Sequence, residues 1–503
     1  MQTKFPLQVF KISALTAVLL TIISCSVEPN YERPEVPMSG AFKEAQRVGD
    51  TPLKPSEAGT WKVAQPSEAV SRGEWWTVFG DEHLNALQHQ AKEANQTLQA
   101  ATARLKAARA LNQVARSSLF PTLDGGFGAT RQRVTEAAQP EGSQPYQNTM
   151  VRAQVGASYE VDMFGRVAST VDAAQADMGA REALFRSVQL ALQADVAQNY
   201  FLLRQLDSET QVLTDGIELR RKALELVQIR FDANQASNAD IERAKSELAT
   251  ARSEGMTLQR ARAASEHNLA VLLGKTPAEF SLPAGALPTD TVRIPAGLPS
   301  ALLERRPDIA AAEYEMRAAN ARIGVAEAAF FPSLTLTGTA GFESDTLGSL
   351  FNWSSRAFLL GPLAGTALNI PLFDGGRRKG NLANAKAQYE EDVAKYRQQV
   401  LTAFREVEDN LVDLRILNDQ TVTQNEAMAS SQRVAQLSQT QYLEGAVNYF
   451  DVLDAQRTAL QARRAAVQLQ GTQTIATVNL IRALGGGWDH ADSIGKVSVT
   501  QAH

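Results

Sequence analysis

The stretch Val151-Arg152-Ala153-Gln154-Val155-Gly156-Ala157-Ser158-Tyr159-Glu160-Val161-Asp162-Met163 alternates with a strict period of two. Val151, Ala153, Val155, Ala157, Tyr159, Val161 and Met163 form an apolar set, and the residues between them are polar or glycine. Successive side chains of a strand point to opposite faces, so the pattern predicts a long β-strand with one apolar and one polar face. A second stretch repeats it: Leu334, Leu336, Gly338, Ala340 and Phe342 alternate with Thr335, Thr337, Thr339, Gly341 and Glu343. Two weaker partners run over about residues 122–133 and 357–372. Two-faced strands of roughly 9–11 residues or more fit a transmembrane barrel better than a soluble sandwich. One chain offers four of them, and an isolated sheet of four has two open edges that lipid does not tolerate. Single-chain barrels begin at about 8 strands, so copies of the chain must close the sheet, two, three or four of them giving roughly 8, 12 or 16 strands.

The strands belong to an internal repeat with a shift of about 211 residues. Leu119-Phe120-Pro121-Thr122-Leu123 matches Phe330-Phe331-Pro332-Ser333-Leu334, Gly165-Arg166 matches Gly376-Arg377, Asp240 falls on Asp451, and Leu272-Leu273-Gly274 falls on Ala483-Leu484-Gly485. Each copy reads as a helix, two strands, a long helix and a second helix. The first helices are predicted over about residues 82–118 and 307–329. The long helices, over about 166–231 and 377–442, contain no proline, and at 1.5 Å per residue each spans on the order of 100 Å. Each ends in a short break, residues 232–238 and 443–448, where Asn234 and Gly445 supply the left-handed conformation of an antiparallel turn. A helix of about 35 residues then runs back about 50 Å and stops at Gly274 or at Gly485-Gly486-Gly487.

The N-terminus sets the compartment. Lys4 and Lys11 precede a mostly apolar run over residues 12–23, too short to span a bilayer comfortably. It ends in Ile22-Ile23-Ser24-Cys25, the pattern of a bacterial lipobox. Cleavage before Cys25, the only cysteine, would leave it N-terminal and carrying N-palmitoyl and S-diacylglycerol chains, at about 0.8 kcal/mol per buried methylene. Ser26 follows where an aspartate would signal inner-membrane retention, so sorting to the outer membrane is expected. The prolines Pro29, Pro34, Pro37, Pro52, Pro55 and Pro66 predict extended chain after the anchor. The expected organisation is a signal peptide over 1–24, a lipid-anchored extended segment over 25–73, a first repeat over 74–280, a Pro/Gly-rich linker over 281–299, a second repeat over 300–487 and a tail over 488–503.

Composition excludes several functions. One cysteine allows neither a disulfide framework nor a thiol-ligated zinc site. A net charge of −5 with both signs interspersed is not a nucleic-acid footprint. The five histidines, His83, His89, His267, His490 and His503, are scattered, and no nucleophile constellation or HExxH is present. Asp374-Gly375-Gly376-Arg377-Arg378-Lys379-Gly380 lacks the Lys-Ser/Thr ending of a phosphate loop and reads as a strand-to-helix turn. No enzyme and no metal site are expected.

Five runs, in order, resemble the outer membrane factors of Gram-negative efflux and secretion systems, a TolC-like family, in their lipidated OprM-like (NodT) branch. They are Pro29-Asn30-Tyr31-Glu32-Arg33-Pro34, Glu74-Trp75-Trp76-Thr77-Val78-Phe79-Gly80-Asp81, Leu302-Leu303-Glu304-Arg305-Arg306-Pro307-Asp308-Ile309, Phe330-Phe331-Pro332-Ser333 and Phe450-Asp451-Val452-Leu453-Asp454-Ala455-Gln456. The resemblance implies an α+β membrane protein: a homotrimer whose twelve strands, four per chain, form one transmembrane barrel continued by a long periplasmic α-helical coiled-coil tunnel. It implies a periplasmic adaptor (membrane fusion) protein on the helical tips, an inner-membrane transporter of RND type, and drugs, toxic organics or metal ions as cargo. A type I protein-secretion duct would share the fold, but the lipobox and the Arg-Arg-Pro-Asp-Ile run favour efflux. A pore-free coiled-coil spacer lipoprotein would not need the alternating strands.

The resemblance also implies a gate at the tip. Tyr442 matches the family's gate tyrosine, Asp451 and Asp454 match its constriction aspartates, and Asp240 is the repeat counterpart of Asp451. Asp451 and Asp454 are spaced to share a helix face, and a ring of them would favour cations. Acids in a first turn also complement the helix dipole. The family's gate arginine is Val447 here, so a hydrogen-bonded or packed closure is expected in place of a salt-bridged one. Asn234, Gln235, Asn238, Gly445 and Val447 are the expected adaptor contacts.

Overall fold

The structure, a computed structural model, describes residues 29–34, 42–44, 61–63, 74–135, 137, 140, 142, 144–288, 291–293, 306–360 and 367–486. In chain order the elements are β1 (Trp61–Val63), a 3-10 turn (Trp75–Phe79), α1 (Glu82–Ala94), α2 (Gln96–Ser117), β2 (Thr122–Val134), β3 (Tyr146–Val161), α3 (Arg166–Asp232), α4 (Asn238–Leu272), a second 3-10 turn (Pro277–Glu279), β4 (Thr291–Arg293), α5 (Pro307–Ala328), β5 (Ser333–Ser344), two short 3-10 turns (Leu347–Ser349 and Trp353–Ser355), β6 (Arg356–Leu360), β7 (Ala367–Asn369), α6 (Arg377–Leu443) and α7 (Tyr449–Ala483). Two compact units arise, and each draws on both halves of the chain. One takes residues 29–34, Arg104–Arg181 and Ala311–Tyr396; the other takes the described parts of Glu35–Ala103, Glu182–Ala310 and Arg397–His503.

The first unit is built on an antiparallel sheet in the order β2-β3-β5-β6, with β7 also paired to β5. Gly125, Val155, Ala340 and Phe358 lie in one cross-strand row, and Leu123, Ala157, Gly338 and Leu360 in another. Side chains alternate in a strand, so every row of the quoted apolar set falls on one face, and Gln154, Ser158, Thr335, Thr337 and Glu343 fall on the other. Much of the apolar face is exposed, with Leu123 at 72%, Phe127 69%, Val155 55%, Phe358 75% and Leu368 56%, while Val151 is buried and Phe342 packs against Phe351. β3 starts at Tyr146, five residues before the alternation becomes regular. The predicted fourth strand is seen as two pieces, β6 and β7, on either side of residues outside the described set.

Both long helices start in the same way. Asp162 accepts hydrogen bonds from the backbone N–H groups of Val167 (3.1 Å) and Ala168 (2.7 Å). Asp374 accepts from Gly376 and Arg378, each at 3.1 Å. The glycine-rich run before α6 is therefore a strand-to-helix turn with a carboxylate satisfying orphan helix donors. Also in this unit, the side chain of Arg33 pairs with Glu313, Arg317 lies 5.1 Å over the Tyr31 ring, and Asn320 donates to the carbonyl of Pro29 at 2.8 Å. The Pro29–Pro34 run is thus a strap laid along α5.

The second unit holds the main apolar core, in which Trp76, Leu84, Tyr200, Phe201, Leu203, Leu269, Leu273 and Val478 are buried together. The Glu74–Asp81 run feeds this core: Trp75 donates to Gln193 at 3.0 Å, and Asp81 caps α1 while accepting from the Tyr200 hydroxyl at 2.6 Å. The single helix expected over residues 82–118 is two helices. Buried Asn95 interrupts it with an extended ψ of 123°, caps the Leu98 N–H at 2.9 Å and donates to the last turn of α4 at Leu272, also 2.9 Å. An asparagine side chain that satisfies two helix ends offsets the break. The described start of the expected linker, residues 281–288, is pinned down. Arg204 donates to Pro283 and Arg262 to Leu282, both at 2.7 Å, and the Gly285 N–H donates to Asp207 at 3.0 Å.

Arg306, at the start of α5, is also buried. It pairs with Asp308 at 2.5 Å and Glu406 at 2.6 Å, and donates to the last-turn carbonyl of Ala483 at 3.1 Å. Burial opposes ionisation of Asp308, yet the hydrogen bond and charge of Arg306 hold its carboxyl below the ordinary value. A depressed carboxyl contributes stability above its unfolded pKa, about 3.9, and loses it as pH falls through the folded value. Asp308→Asn should therefore melt well below the parent at pH 6, and the gap should narrow as the pH is lowered past 3.9. Parallel thermal melts across that range check this.

Candidate functional site: the helical tip

The α3–α4 and α6–α7 hairpins end in matching turns. Asn234 has φ 58° and Gly445 has φ 78°, the left-handed positions expected of each break. After the turns the two hairpins diverge. In the first, Ser237 and Asp240 form a reciprocal capping box: the Asp240 N–H donates to Ser237 Oγ at 3.2 Å, and the Ser237 N–H donates to Asp240 Oδ2 at 3.1 Å. Asp240 is also paired with Arg243 at 3.6 Å. In the second, Asn448 replaces Ser237 and accepts the Asp451 N–H at 3.1 Å. The reciprocal carboxylate bond is recorded only in the first hairpin.

The repeat places Arg243 opposite Asp454. The first hairpin thus balances its tip acid one turn on, while the second replaces that arginine with another acid. Asp451 and Asp454 are both exposed, three residues apart on α7. Arg457, another turn on, is pulled toward Glu247 of α4, to which it donates. Of the expected gate carboxylates, Asp240 is committed to its own helix end, and Asp451 with Asp454 forms an exposed acidic pair.

Tyr442 is not a free tip residue. It is 7% exposed and packs in a cluster with Val227, Ile241, Ala244, Tyr449, Val452 and Leu453, against which Val447 is also laid. The Tyr442 and Tyr449 ring centroids lie 5.6 Å apart. Burial first, then the nearby Tyr442 and Glu247, pushes the Tyr449 hydroxyl up to about 12, so it is neutral at physiological pH. Asn234, Gln235, Asn238 and Gly445 are exposed, and Val447 is half-buried. Sequence reading missed the contacts between hairpins: Arg457 with Glu247, Arg464 with Glu254 at 2.9 Å, and Arg463 with Asp215 at 3.4 Å. The shared seven-residue spacing of Glu247/Glu254 and Arg457/Arg464 was the available signal. Among the described residues no group of His, Cys, Asp and Glu is arranged to hold a metal ion, and no helix is long and apolar enough to cross a membrane. Cys25 lies outside the described residues.

The model of the outer membrane efflux protein family matches residues 87–275 and again 298–486. The chain is 34% identical over 478 residues to the toluene efflux pump outer membrane protein TtgF of Pseudomonas putida, covering 95% of this chain and 97% of that protein. It is 34% identical over 497 residues to the outer membrane protein OprJ of Pseudomonas aeruginosa, covering 96% and 97%. Among solved structures, the outer-membrane channel OprN superposes with a TM-score of 0.82 at 29% identity, over 92% of this chain and all of that one. The open state of the Neisseria gonorrhoeae MtrE outer membrane channel gives 0.77 at 29% identity, over 93% and 99%. This chain belongs to the outer membrane efflux protein family. It is a transport channel component of the outer membrane and not an enzyme.

The turn chemistry carries a direct test. Asn234→Ala should lower the local stability of the α3–α4 tip by about 1 kcal/mol, because alanine resists a positive φ, whereas Asn234→Gly should leave it nearly unchanged. Hydrogen exchange over residues 228–241 reads the difference.

Proposed function

We propose that three copies of this chain close their sheets into a twelve-stranded transmembrane barrel and ring their helices below it as a periplasmic tunnel, forming the exit duct of a tripartite efflux pump. The observation that carries the reading is the sheet itself, with β6 and β7 taken as two ends of one fourth strand. Its outer strands, β2 on one side and β6/β7 on the other, have no further strand among the described residues, and much of its apolar face is exposed. Lipid accepts such a face and forbids such edges, so further copies supply the missing pairs. Exposed aromatics flank the sheet at both ends, as in a barrel's interfacial girdles. Phe351 (70%) and Trp353 (77%) lie beyond Ser344, and Phe120 (69%), Phe330 (43%) and Phe373 (92%) lie near the opposite end. The number three comes from the family resemblance.

Cys25, carrying N-palmitoyl and S-diacylglycerol, anchors each chain to the outer membrane, and the strap at Pro29–Pro34 supports an anchor close to α5. An adaptor (membrane fusion) protein docks on the tips through Asn234, Gln235, Asn238, Gly445 and Val447, and an RND-type transporter drives export. TtgF is named for toluene export, which supports small toxic organics as cargo. Asp451 and Asp454 ring the narrowed tip as a cation-favouring constriction, Tyr442 holds it closed, and Asp240 serves the helix end beside it.

Purified from detergent, the protein should scatter light as three chains, and a stable monomer would defeat the assembly. In planar bilayers the channel should prefer K⁺ over Cl⁻. The double variant Asp451→Asn/Asp454→Asn should bring its reversal potential in a KCl gradient toward zero, and an unchanged potential would remove the acidic pair from the constriction.

A further inference from the structure

Val447, in the turn before α7, stands where the resemblance implies an arginine, yet an arginine is there from the other hairpin. Arg230 sits in the last turn of α3. Its guanidinium carbon lies 4.2 Å from the centroid of the Tyr442 ring, and its Nη2 donates to the Leu443 carbonyl at 3.3 Å. That carbonyl is the last of α6. The three before it are taken by N–H groups of the turn: Thr440 by Glu444, Gln441 by Ala446 and Tyr442 by Gly445. Leu443 would otherwise have no helical donor. One side chain therefore meets the electron-rich ring face, the orphan carbonyl and the negative end of the α6 dipole.

The contact is directional between the repeats. The counterpart of Arg230 is Gln441, and that of Tyr442 is Phe231, which is 37% exposed. The first hairpin supplies the cation and the second the ring. A second such contact lies nearby, with Arg243 of α4 at 6.0 Å from the Phe450 ring of α7.

We propose that Arg230 is the latch residue of the tip, holding the α6–α7 hairpin on the α3–α4 hairpin of the same chain through the face of Tyr442 and the Leu443 carbonyl. The tyrosine acts as a ring and its hydroxyl is dispensable. The proposal rests on the reading of this tip as the gate.

The full-length channel in planar bilayers separates the possibilities. Tyr442→Phe keeps the ring face and should open far less than Tyr442→Leu. Tyr442→Leu and Arg230→Ala should each raise open probability severalfold, and combining them should add little. A Tyr442→Phe channel that opens as far as Tyr442→Leu would place the latch in the hydroxyl and overturn the proposal. An unaltered Arg230→Ala channel would overturn it as well. If Asp451→Asn/Asp454→Asn still shifts ion preference in that case, the gate reading survives and only the latch is lost. If neither set of variants changes conduction, the gate reading falls too. Should Arg230→Ala melt as an unfolded protein, the comparison of Tyr442→Phe with Tyr442→Leu decides alone.

Discussion

Backbone hydrogen bonding at the two free edges of the sheet is the constraint on which the rest of the chain depends. Each edge residue presents N–H and C=O groups that need partners once water is removed. The exposed apolar positions Leu123, Phe127 and Phe358 suit lipid, which under the proposed barrel removes water as a partner. Under the proposed barrel, a chain with four strands cannot meet both demands alone, and self-association becomes part of the fold. The two-repeat plan follows economically: each repeat gives a pair of strands, and each strand pair is followed by a helical hairpin.

Duplication supplies identical backbones, and divergence then makes the two halves differ where they meet. The tip shows this best. Asn234 and Gly445 adopt the same left-handed turn, and Ser237 and Asn448 the same cap. On that shared frame the first repeat places Arg230 and Arg243, and the second places Gln441 and Asp454. A symmetric pair of hairpins with like charges would repel. Farther from the turns the polarity is reversed, with acids on α4 and arginines on α7, and Glu247–Arg457 and Glu254–Arg464 pair the two helices.

The sheet, the two long helices, their breaks and their return helices were legible because each rests on local periodicity or on a turn residue with one physical reason to be there. The interruption at Asn95 was not legible. Asparagine within a helical pattern is usually a solvated residue, and only the carbonyl of Leu272, 177 positions away, makes the break favourable. The acids of the tip were visible as residue types, but their division of labour was not. Asp240 differs from Asp451 through Arg243 and Ser237, and that difference emerges only when the two hairpins are compared atom by atom. Arg230 was invisible for a related reason: it acts on a ring 212 positions later, and nothing in its own neighbourhood marks it.

The ion pairs of the second unit fall into a buried set and a wetter set. Arg204, Asp207 and Arg306 have side chains 4–8% exposed, and each carries several hydrogen bonds. Removing one partner there would strand a buried charge, a loss of about 3–5 kcal/mol. The ion pairs between hairpins are wetter: Arg457, Arg463 and Arg464 have side chains 25–50% exposed. Exposed pairs contribute about 0–1 kcal/mol each and are screened by salt. Buried ion pairs lie around the loop at residues 281–288, at the start of α5 and at Arg220–Glu247 in the first hairpin, whereas the pairs that join the two hairpins are wetter. Under the proposed gate, the wetter pairs between the hairpins are the ones that opening would exchange for water.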